Sequence, residues 1–308
     1  MTVDVLFPYY GDVAMMKQAV ESILGQTSPD WTLTVIDDGY PDESIPGYFG
    51  LLAAQDSRIT YLRNEENLGA NGNYRKSLTF VRNELAVVMG ADDVMLSNYI
   101  ATVVAAHEQF PSAQIIQPGV EVIDEHNQPS MGLIDRMKRV YAPSVHGRRL
   151  LSGEPLAISL MRANWTYFPS ICWKSDTLVA MDFREGLNVC QDLALALDLI
   201  KAGGSLVVDS TVCFQYRRHR ESDSSWRALE GTRFIEEREF FTAMGDEFEA
   251  LGWRRAARTA RLHLASRLNA VTLLPKAWRT KQHQGVHNLR EHVLARPGRS
   301  PRTTPTKK

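Results

Sequence analysis

Leu85-Ala86-Val87-Val88-Met89-Gly90-Ala91-Asp92-Asp93 is the stretch on which the fold turns. Its first five residues are apolar and unbroken by charge, and a run this short reads as a strand buried on both faces. Such strands belong to parallel sheets covered by helices. The two carboxylates that follow stand at the carboxyl end of the strand, where open α/β sheets bind ligands. Adjacent carboxylates repel each other and resist burial unless a cation or good donors meet them. A hard divalent ion bridging a diphosphate supplies that compensation. A turn or a helix N-cap also favours Asp, so the pair must be read with its surroundings.

Upstream, residues 3–7 read as a first strand, closed by Pro8 and Gly11. Asp12 suits the N-cap of a helix that carries Val13, Met16, Val20, Ile23 and Leu24 at helical spacing. Residues 31–36 form a second strand, ending on Asp37-Asp38-Gly39, and 59–62 a third. Residues 70–84 read as a helix with Tyr74, Leu78 and Val81 on one face, leading into the strand at 85–89. Downstream, Ser97 can cap a helix running through Ile100, Val103, Val104 and His107 to Phe110. This β-α-β-β-α-β-α order predicts an α/β fold: a Rossmann-like, mainly parallel sheet flanked by helices.

Beyond it, strands are expected at 113–117, 120–123, 171–173, 206–208 and 212–216, and helices at 155–163 and 193–201. Residues 124–149 are polar, with the length of a functional flap. After 222 only helix signals remain, and from Arg296 the composition is that of a disordered tail. The expected organisation is a catalytic domain over 1–220, a helical C-terminal extension over 221–290 and a basic, disordered tail over 291–308.

A chain of 308 residues with 44% hydrophobic content supports one sizeable core plus an appendage. No run approaches the roughly 18 apolar residues of a membrane span. The opening residues lack a basic region and cleavage site, so no signal peptide is expected, and a cytoplasmic location follows. Cys172, Cys190 and Cys213 are odd in number, lack metal-site spacing and sit among apolar neighbours, as reduced core residues do. The net charge of −1 conceals an asymmetry, since residues 251–308 hold fourteen Lys or Arg against the single acid Glu291. A basic end on an acidic body points to an anionic partner for that end.

Two strands thus end in carboxylate pairs, and between them lies Asn64-Glu65-Glu66-Asn67-Leu68-Gly69-Ala70-Asn71-Gly72-Asn73. Polar side chains and permissive glycines at a helix start suit close contact with a ribose or phosphate. Phe7-Pro8-Tyr9-Tyr10, Val35-Ile36-Asp37-Asp38-Gly39, Asn67-Leu68-Gly69 and Gly90-Ala91-Asp92-Asp93, in this order, resemble the motifs of family-two glycosyltransferases with the GT-A fold. The resemblance covers about residues 3–220.

It implies that Pro8 and Tyr10 line a nucleotide pocket, that Asp37 or Asp38 accepts hydrogen bonds from the base or ribose, and that Asn67 and Gly69 flank the nucleotide with Arg75 nearby. Asp93 would ligate Mn²⁺ or Mg²⁺, with Asp92 beside it near the ribose or a metal-bound water. Asp192, at the start of the helix at 193–201, resembles the second acid of the family's acidic dyad, the general base. Tyr216-Arg217-Arg218-His219-Arg220, before residues 222–226, resembles a loop that closes over the diphosphate, with Arg217 or Arg218 as clamp and His219 as a second metal ligand or phosphate donor. Two departures stand out: Gly90 where many relatives carry an acid, and Gln191 where the dyad has its first acid. Trp165, Tyr167, Phe168 and Trp173 form an aromatic group that suits an acceptor platform or, for at least two of them, the core.

The implied function is inverting, metal-dependent transfer of a sugar from a nucleotide-sugar donor, a UDP-sugar, to a hydroxyl of a glycan or lipid-linked acceptor. Two alternatives are a nucleotidyltransferase on a related sheet, and a non-enzymatic sugar-nucleotide-binding protein. The first loop lacks the Gly-rich, Lys/Arg-bearing character of the former. In the basic segment Arg254, Arg258 and Arg261 share a helix face and Leu262, Leu264, Leu268, Val271, Leu273, Leu274 and Trp278 add apolar surface. Such a segment can meet the membrane peripherally, at its inner face, or pack on the domain. Nucleic acid is not expected as a partner, because the main body is acidic.

Overall fold

The computed structural model describes residues 1–219 and 231–295. Arg220, the expected loop at 222–226 and residues 296–308 of the expected tail lie outside the described residues; residues 291–294, also expected in that tail, are helical. The chain divides into two compact units. The first comprises Met1–Asp135, Ala142–Gly153 and Thr166–Arg218; the second comprises Arg136–Tyr141, Glu154–Trp165 and the described residues from His219 on.

The first unit is built on a nine-stranded mixed sheet. In chain order its strands are β1 (Val3–Tyr9), β2 (Trp31–Asp37), β3 (Ile59–Arg63), β4 (Leu85–Val88), β5 (Val94–Met95), β6 (Ile115–Asp124), β7 (Arg148–Ser152), β8 (Cys172–Lys174) and β9 (Ser205–Arg218). The spatial order is β3-β2-β1-β4-β8-β6-β9-β5, with β7 on β9. The first four strands are mutually parallel; β8 runs antiparallel between β4 and β6, and β6 and β9 pair in parallel. All four residues of β4 are buried, as expected of a strand covered on both faces.

Helices α1 (Val13–Leu24), α2 (Ser44–Gln55), α3 (Gly69–Leu78) and α4 (Tyr99–Gln109) accompany these strands, and α5 (Leu133–Tyr141), α6 (Gly153–Arg162), α7 (Ser175–Met181) and α8 (Gln191–Lys201) follow. Asp12 caps α1, accepting the Met15 N–H at 2.8 Å. The core packs Phe7, Met16, Val20 and Ile23 with Trp31, Leu33, Val87, Tyr99 and Phe214. All three cysteines are buried and form no disulfide, and burial pushes the Cys213 thiol up to about 12.

The helix expected over 70–84 stops at Leu78 for a local reason. Asp4, buried in β1, accepts the backbone N–H groups of Arg82 and Asn83 at 2.6 and 2.7 Å and the Asn83 side chain at 2.6 Å. These bonds turn the chain straight into β4. Pro8, expected on a loop, is a buried residue of β1 opposite Ile36. It is tolerated there because the β1–β4 pairing ends at Leu6 and Val88, short of the proline. The pairs of strands expected at 113–123 and 206–216 are single long strands, and Pro118-Gly119 is absorbed by a register shift in β6. The flap expected over 124–149 contains α5 and β7.

The second unit contains α9 (Thr232–Ala250), α10 (Arg254–Leu262), α11 (Leu264–Arg279) and α12 (His283–Leu294). Phe234, Ala270, Ala277 and Leu289 form its apolar centre. Glu154 of α6 caps α10, accepting the N–H groups of Arg255 and Ala256. Beside the centre lies a buried polar cluster. His263 and His292 stand 5.1 Å apart, and Ser266 bridges the His292 Nε2, at 2.7 Å, to Glu237. Burial, with the charge of Arg267 next, lowers the His263 pKa to about 4; burial also lowers that of His292 to about 4, against the pull of Glu237.

In the unfolded chain both imidazoles titrate near 6.5. Above that pH they are neutral in both states and carry no penalty. As pH falls from about 6.5 toward 4 the unfolded state takes up protons first, so stability drops, by up to about 3 kcal/mol per histidine. Thermal unfolding followed from pH 7.5 to 4.5 should show this decline, and His292→Gln should reduce it; an undiminished slope in that variant would contradict the assignment.

Candidate active site

Tyr9 pairs with Asp37 at the carboxyl ends of β1 and β2, and β4 releases the chain into Asp92-Asp93 on the same edge. Parallel strands place their ligand-binding loops here. The two carboxylate pairs are treated very differently.

Asp37 is fully buried. Its Oδ1 accepts the Tyr40 N–H at 2.8 Å and its Oδ2 the Tyr61 hydroxyl at 2.6 Å. Asp38 is 2% exposed; its Oδ1 accepts from Asn64 Nδ2 at 2.7 Å and Leu68 N–H at 2.9 Å, and its Oδ2 accepts from Gly69 N–H at 3.0 Å. Asn73 continues this network from Asn64 to the Ile36 carbonyl. Both aspartates, expected to hydrogen-bond a base or ribose, are therefore occupied with the protein's own donors, and what they do is shape the loops around them. Gly69 adopts φ +72°, a conformation that favours glycine, while its N–H points at Asp38 and at Asn67 Oδ1, 2.9 Å away. Of the side chains expected to meet the nucleotide, Asn67 and Tyr10 are exposed, the latter 56% and edge-on to Tyr40 at 5.2 Å.

Asp93 is 1% exposed. Its Oδ1 accepts the Arg217 backbone N–H at 2.8 Å, and its Oδ2 is buried with no hydrogen-bond partner. Burial first, and the Asp92 charge second, push its carboxyl well above the usual carboxylate range, against the Arg217 N–H and the Arg217 and Arg218 charges. Asp92 is half-buried. Gly90 explains the geometry of the pair: a Cβ there would lie 2.5 Å from Asp93 Oδ2 and 3.0 Å from Asp92 Oδ1. The carboxylates fold back over a residue that has no side chain, so an acid at 90 does not fit this arrangement.

An orphaned carboxylate oxygen converging with a second one fits a hard cation, which would relieve both the burial and the repulsion. No group of three or more His, Cys, Asp or Glu suited to a metal occurs among the described residues. The protein thus offers two carboxylates, and a magnesium-like ion readily completes its shell from diphosphate oxygens and water. His219, expected as a further ligand, is half-buried, belongs to the second unit and is the last described residue before 231.

Arg217 departs from its expected role as a diphosphate clamp. It is 1% exposed, and its Nε donates to the Asp92 carbonyl at 2.6 Å, Nη1 to the Asp124 carbonyl at 3.1 Å and Asn127 Oδ1 at 2.6 Å, and Nη2 to Gln18 Oε1 at 3.1 Å. It is a framework residue. Arg218 donates to Asp135, which also accepts the Tyr167 hydroxyl, and lies over the Tyr216 ring. Of the aromatic group, Trp173 and Trp165 are buried, while Tyr167 and Phe168 are half-buried.

Asp192 lies half-buried in the first turn of α8. The loop before it is tied to α3. Asn71 donates to the Arg184 and Leu187 carbonyls, and Arg75 reaches Asp182 at 3.1 Å and Glu185 at 2.5 Å. Arg75, expected near the nucleotide, is accordingly a loop tether. Arg184 in turn pairs with Asp198 of α8. With its amide nitrogen turned inward, Gln191 donates to the Leu187 and Asn188 carbonyls at 3.0 Å each. A carboxylate at this position would face two carbonyl oxygens, which accounts for the second departure.

Sequence reading did not single out Asp4, Gln18, Tyr40, Asn64, Asn71 or Asn73 for these tasks. Asn64, Asn71 and Asn73 lay within a stretch flagged as polar, but their partners are remote in sequence.

The mixed, mostly parallel sheet flanked by helices has the architecture of the GT-A glycosyltransferase fold. Solved structures agree. Staphylococcus aureus TarS 1-349 in complex with UDP-GlcNAc superposes with TM-score 0.58 at 11% identity, covering 95% of this chain and 90% of that one. The mannosyltransferase PcManGT from Pyrobaculum calidifontis, in complex with GDP-Man and Mn²⁺, gives 0.57 at 14% identity, covering 95% and 87%. Residues 4–163 match Glycosyl transferase family 2, and the chain belongs to that family. Among curated proteins, an uncharacterized Mycobacterium tuberculosis protein is 25% identical over 77% of this chain and 73% of its own length. The Escherichia coli UDP-Glc:alpha-D-GlcNAc-diphosphoundecaprenol beta-1,3-glucosyltransferase WfgD is 30% identical over 31% of this chain and 37% of its own.

Two substitutions test the explanations of the departures. Gly90→Ala should lower stability by about 1–3 kcal/mol, since Asp93 cannot swing away without losing the Arg217 N–H. Gln191→Glu should cost about 1–3 kcal/mol by exchanging two hydrogen bonds for repulsion. Urea unfolding measures both; changes within about 0.3 kcal/mol would show that the neighbours yield freely.

Proposed function

We propose that the chain transfers a sugar from a UDP-sugar to a hydroxyl of a glycan or lipid-linked acceptor, inverting the anomeric centre, with Mn²⁺ or Mg²⁺ at Asp92-Asp93 and Asp192 as general base. The observation that carries this reading is the convergence of Asp92 Oδ1 and the partnerless, buried Asp93 Oδ2 above Gly90, on the carboxyl edge of the parallel strands. A cation held there would offset the charge that grows on the leaving diphosphate.

Asp92 is half-buried and Asp93 buried, and an oxygen of each lies beside Gly90. Tyr10 offers an exposed ring face to the base. Asn67 and the Gly69 turn, held in place by Asp38, bound the ribose side. Asp192, in the first turn of α8, takes the proton of the attacking acceptor hydroxyl. Its loop is fastened to α3 by Asn71 and Arg75, which keeps base and donor turn in a common frame. A lipid-linked acceptor has support from the acceptor named for the E. coli relative. On that reading the enzyme works at the inner face of the membrane; no described helix is long and apolar enough to cross one.

A panel of sugar nucleotides assayed with Mn²⁺ should give turnover for one UDP-sugar. Asp192→Ala should slow transfer by about 10²- to 10⁴-fold while leaving donor binding near the wild-type level. Near-normal transfer by this variant would remove Asp192 from the mechanism.

A further inference from the structure

Helix α11 presents an apolar ridge that nothing in its own unit covers. Leu264, Leu268, Val271 and Trp278 recur at i, i+4, i+7 and i+14, which sets them along one face, and they are 60%, 55%, 44% and 76% exposed. The opposite face supplies the buried residues Ala270 and Ala277. The ridge is therefore the outer side of a helix whose inner side is already packed.

Its flank is cationic. Arg279 and Lys276 follow on the same outward arc and are exposed. On the preceding helix, α10, exposed Arg254 and Arg258 line a hollow together with Ala257, Arg261, Leu262 and the one acid Glu249. Arg261 is held by Asp246 and Glu249. Residues 251–290 contain no acid at all, so neither helix contributes a counter-charge.

An occupant of this surface must be apolar and anionic together. Nucleic acid would satisfy the arginines and leave Leu264, Leu268 and Trp278 in water. A second copy docking the same face would set like charges against like. An anionic bilayer meets both demands: its phosphates suit the Arg254–Arg258 hollow, its acyl boundary suits the ridge, and Trp favours that interface. We propose that α10 and α11 form a peripheral docking surface for a bilayer containing anionic phospholipid. This deepens the lipid-linked reading of the acceptor and rests on that reading for its purpose, though its geometry is independent of the catalytic residues.

The test is flotation of the full chain with vesicles of phosphatidylcholine alone and of phosphatidylcholine mixed with phosphatidylglycerol. The chain should float with the mixed vesicles and not with the neutral ones, and salt should weaken the association. Arg254→Gln with Arg258→Gln should lower partitioning about 25-fold, at about fivefold per removed charge. Leu268→Ser with Trp278→Ser should lower it about tenfold or more. All four residues are exposed, so circular dichroism and UDP-sugar turnover in lipid-free solution should match the wild type. Failure to float, or variants that float like the wild type, would overturn the docking surface and leave the donor chemistry standing. So would nucleic-acid binding without vesicle binding, or a dimer in light scattering that Trp278→Ser dissolves. Lost turnover with intact flotation would instead overturn the proposed function.

Discussion

The junction between Arg217 and Asp92-Asp93 is the constraint on which the candidate site depends. A guanidinium buried to 1% exposure carries a desolvation penalty of several kcal/mol. Hydrogen bonds to charged groups each return about 1.5–3 kcal/mol. Arg217 makes four side-chain bonds of this kind, to the Asp92 carbonyl, the Asp124 carbonyl, Asn127 and Gln18, while its backbone N–H holds Asp93. The end of β9, the turn after β6, helix α1 and the carboxylate pair are thereby locked to one side chain. The negative charge of the pair also favours the buried cation, so each makes the other's burial less costly.

The four strand-end aspartates divide into two tasks. Asp37 and Asp38 give their oxygens to Tyr40, Tyr61, Asn64, Leu68 and Gly69, and so fix the loops that follow β2 and β3. Asp93 keeps one buried oxygen without a donor, and burial together with the Asp92 charge raises its pKa. Asp93 thus differs from Asp37 and Asp38 because its neighbours supply a donor to Oδ1 and none to Oδ2. The two family departures follow the same logic. Gly90 makes room for the folded-back carboxylates, and Gln191 supplies donors where an acid could not.

Much of the fold was legible because its signals are local. The buried run at 85–88, the Asp12 cap and the apolar spacing of α1 each lie within a short window. Helix α2 was missed because Pro46, Gly47 and Gly50 disguise it, although a proline in the first turn does not break a helix. The strands β6 and β9 were each split in two because Pro118-Gly119 and Asp209-Ser210-Thr211 look like turns, whereas pairing across the sheet carries both strands through. The site was legible as a set of motifs and less so as a set of roles. The family resemblance implies ligand contacts for Arg217 and Arg75; only their distant partners, Gln18, Asn127, Asp182 and Glu185, assign them to the framework. No pattern within one segment encodes such pairings.

The central claim is that the carboxylate pair fixed by Arg217 binds a nucleoside diphosphate through a divalent cation. Calorimetric titration of UDP into the protein, with and without Mn²⁺, tests it most directly when paired with the near-isosteric Asp92→Asn variant. The account predicts binding that Mn²⁺ strengthens by tenfold or more, about 1.4 kcal/mol, and that loses this gain in the variant. UDP affinity that is the same with and without Mn²⁺, or a Mn²⁺ effect that survives Asp92→Asn undiminished, would contradict it.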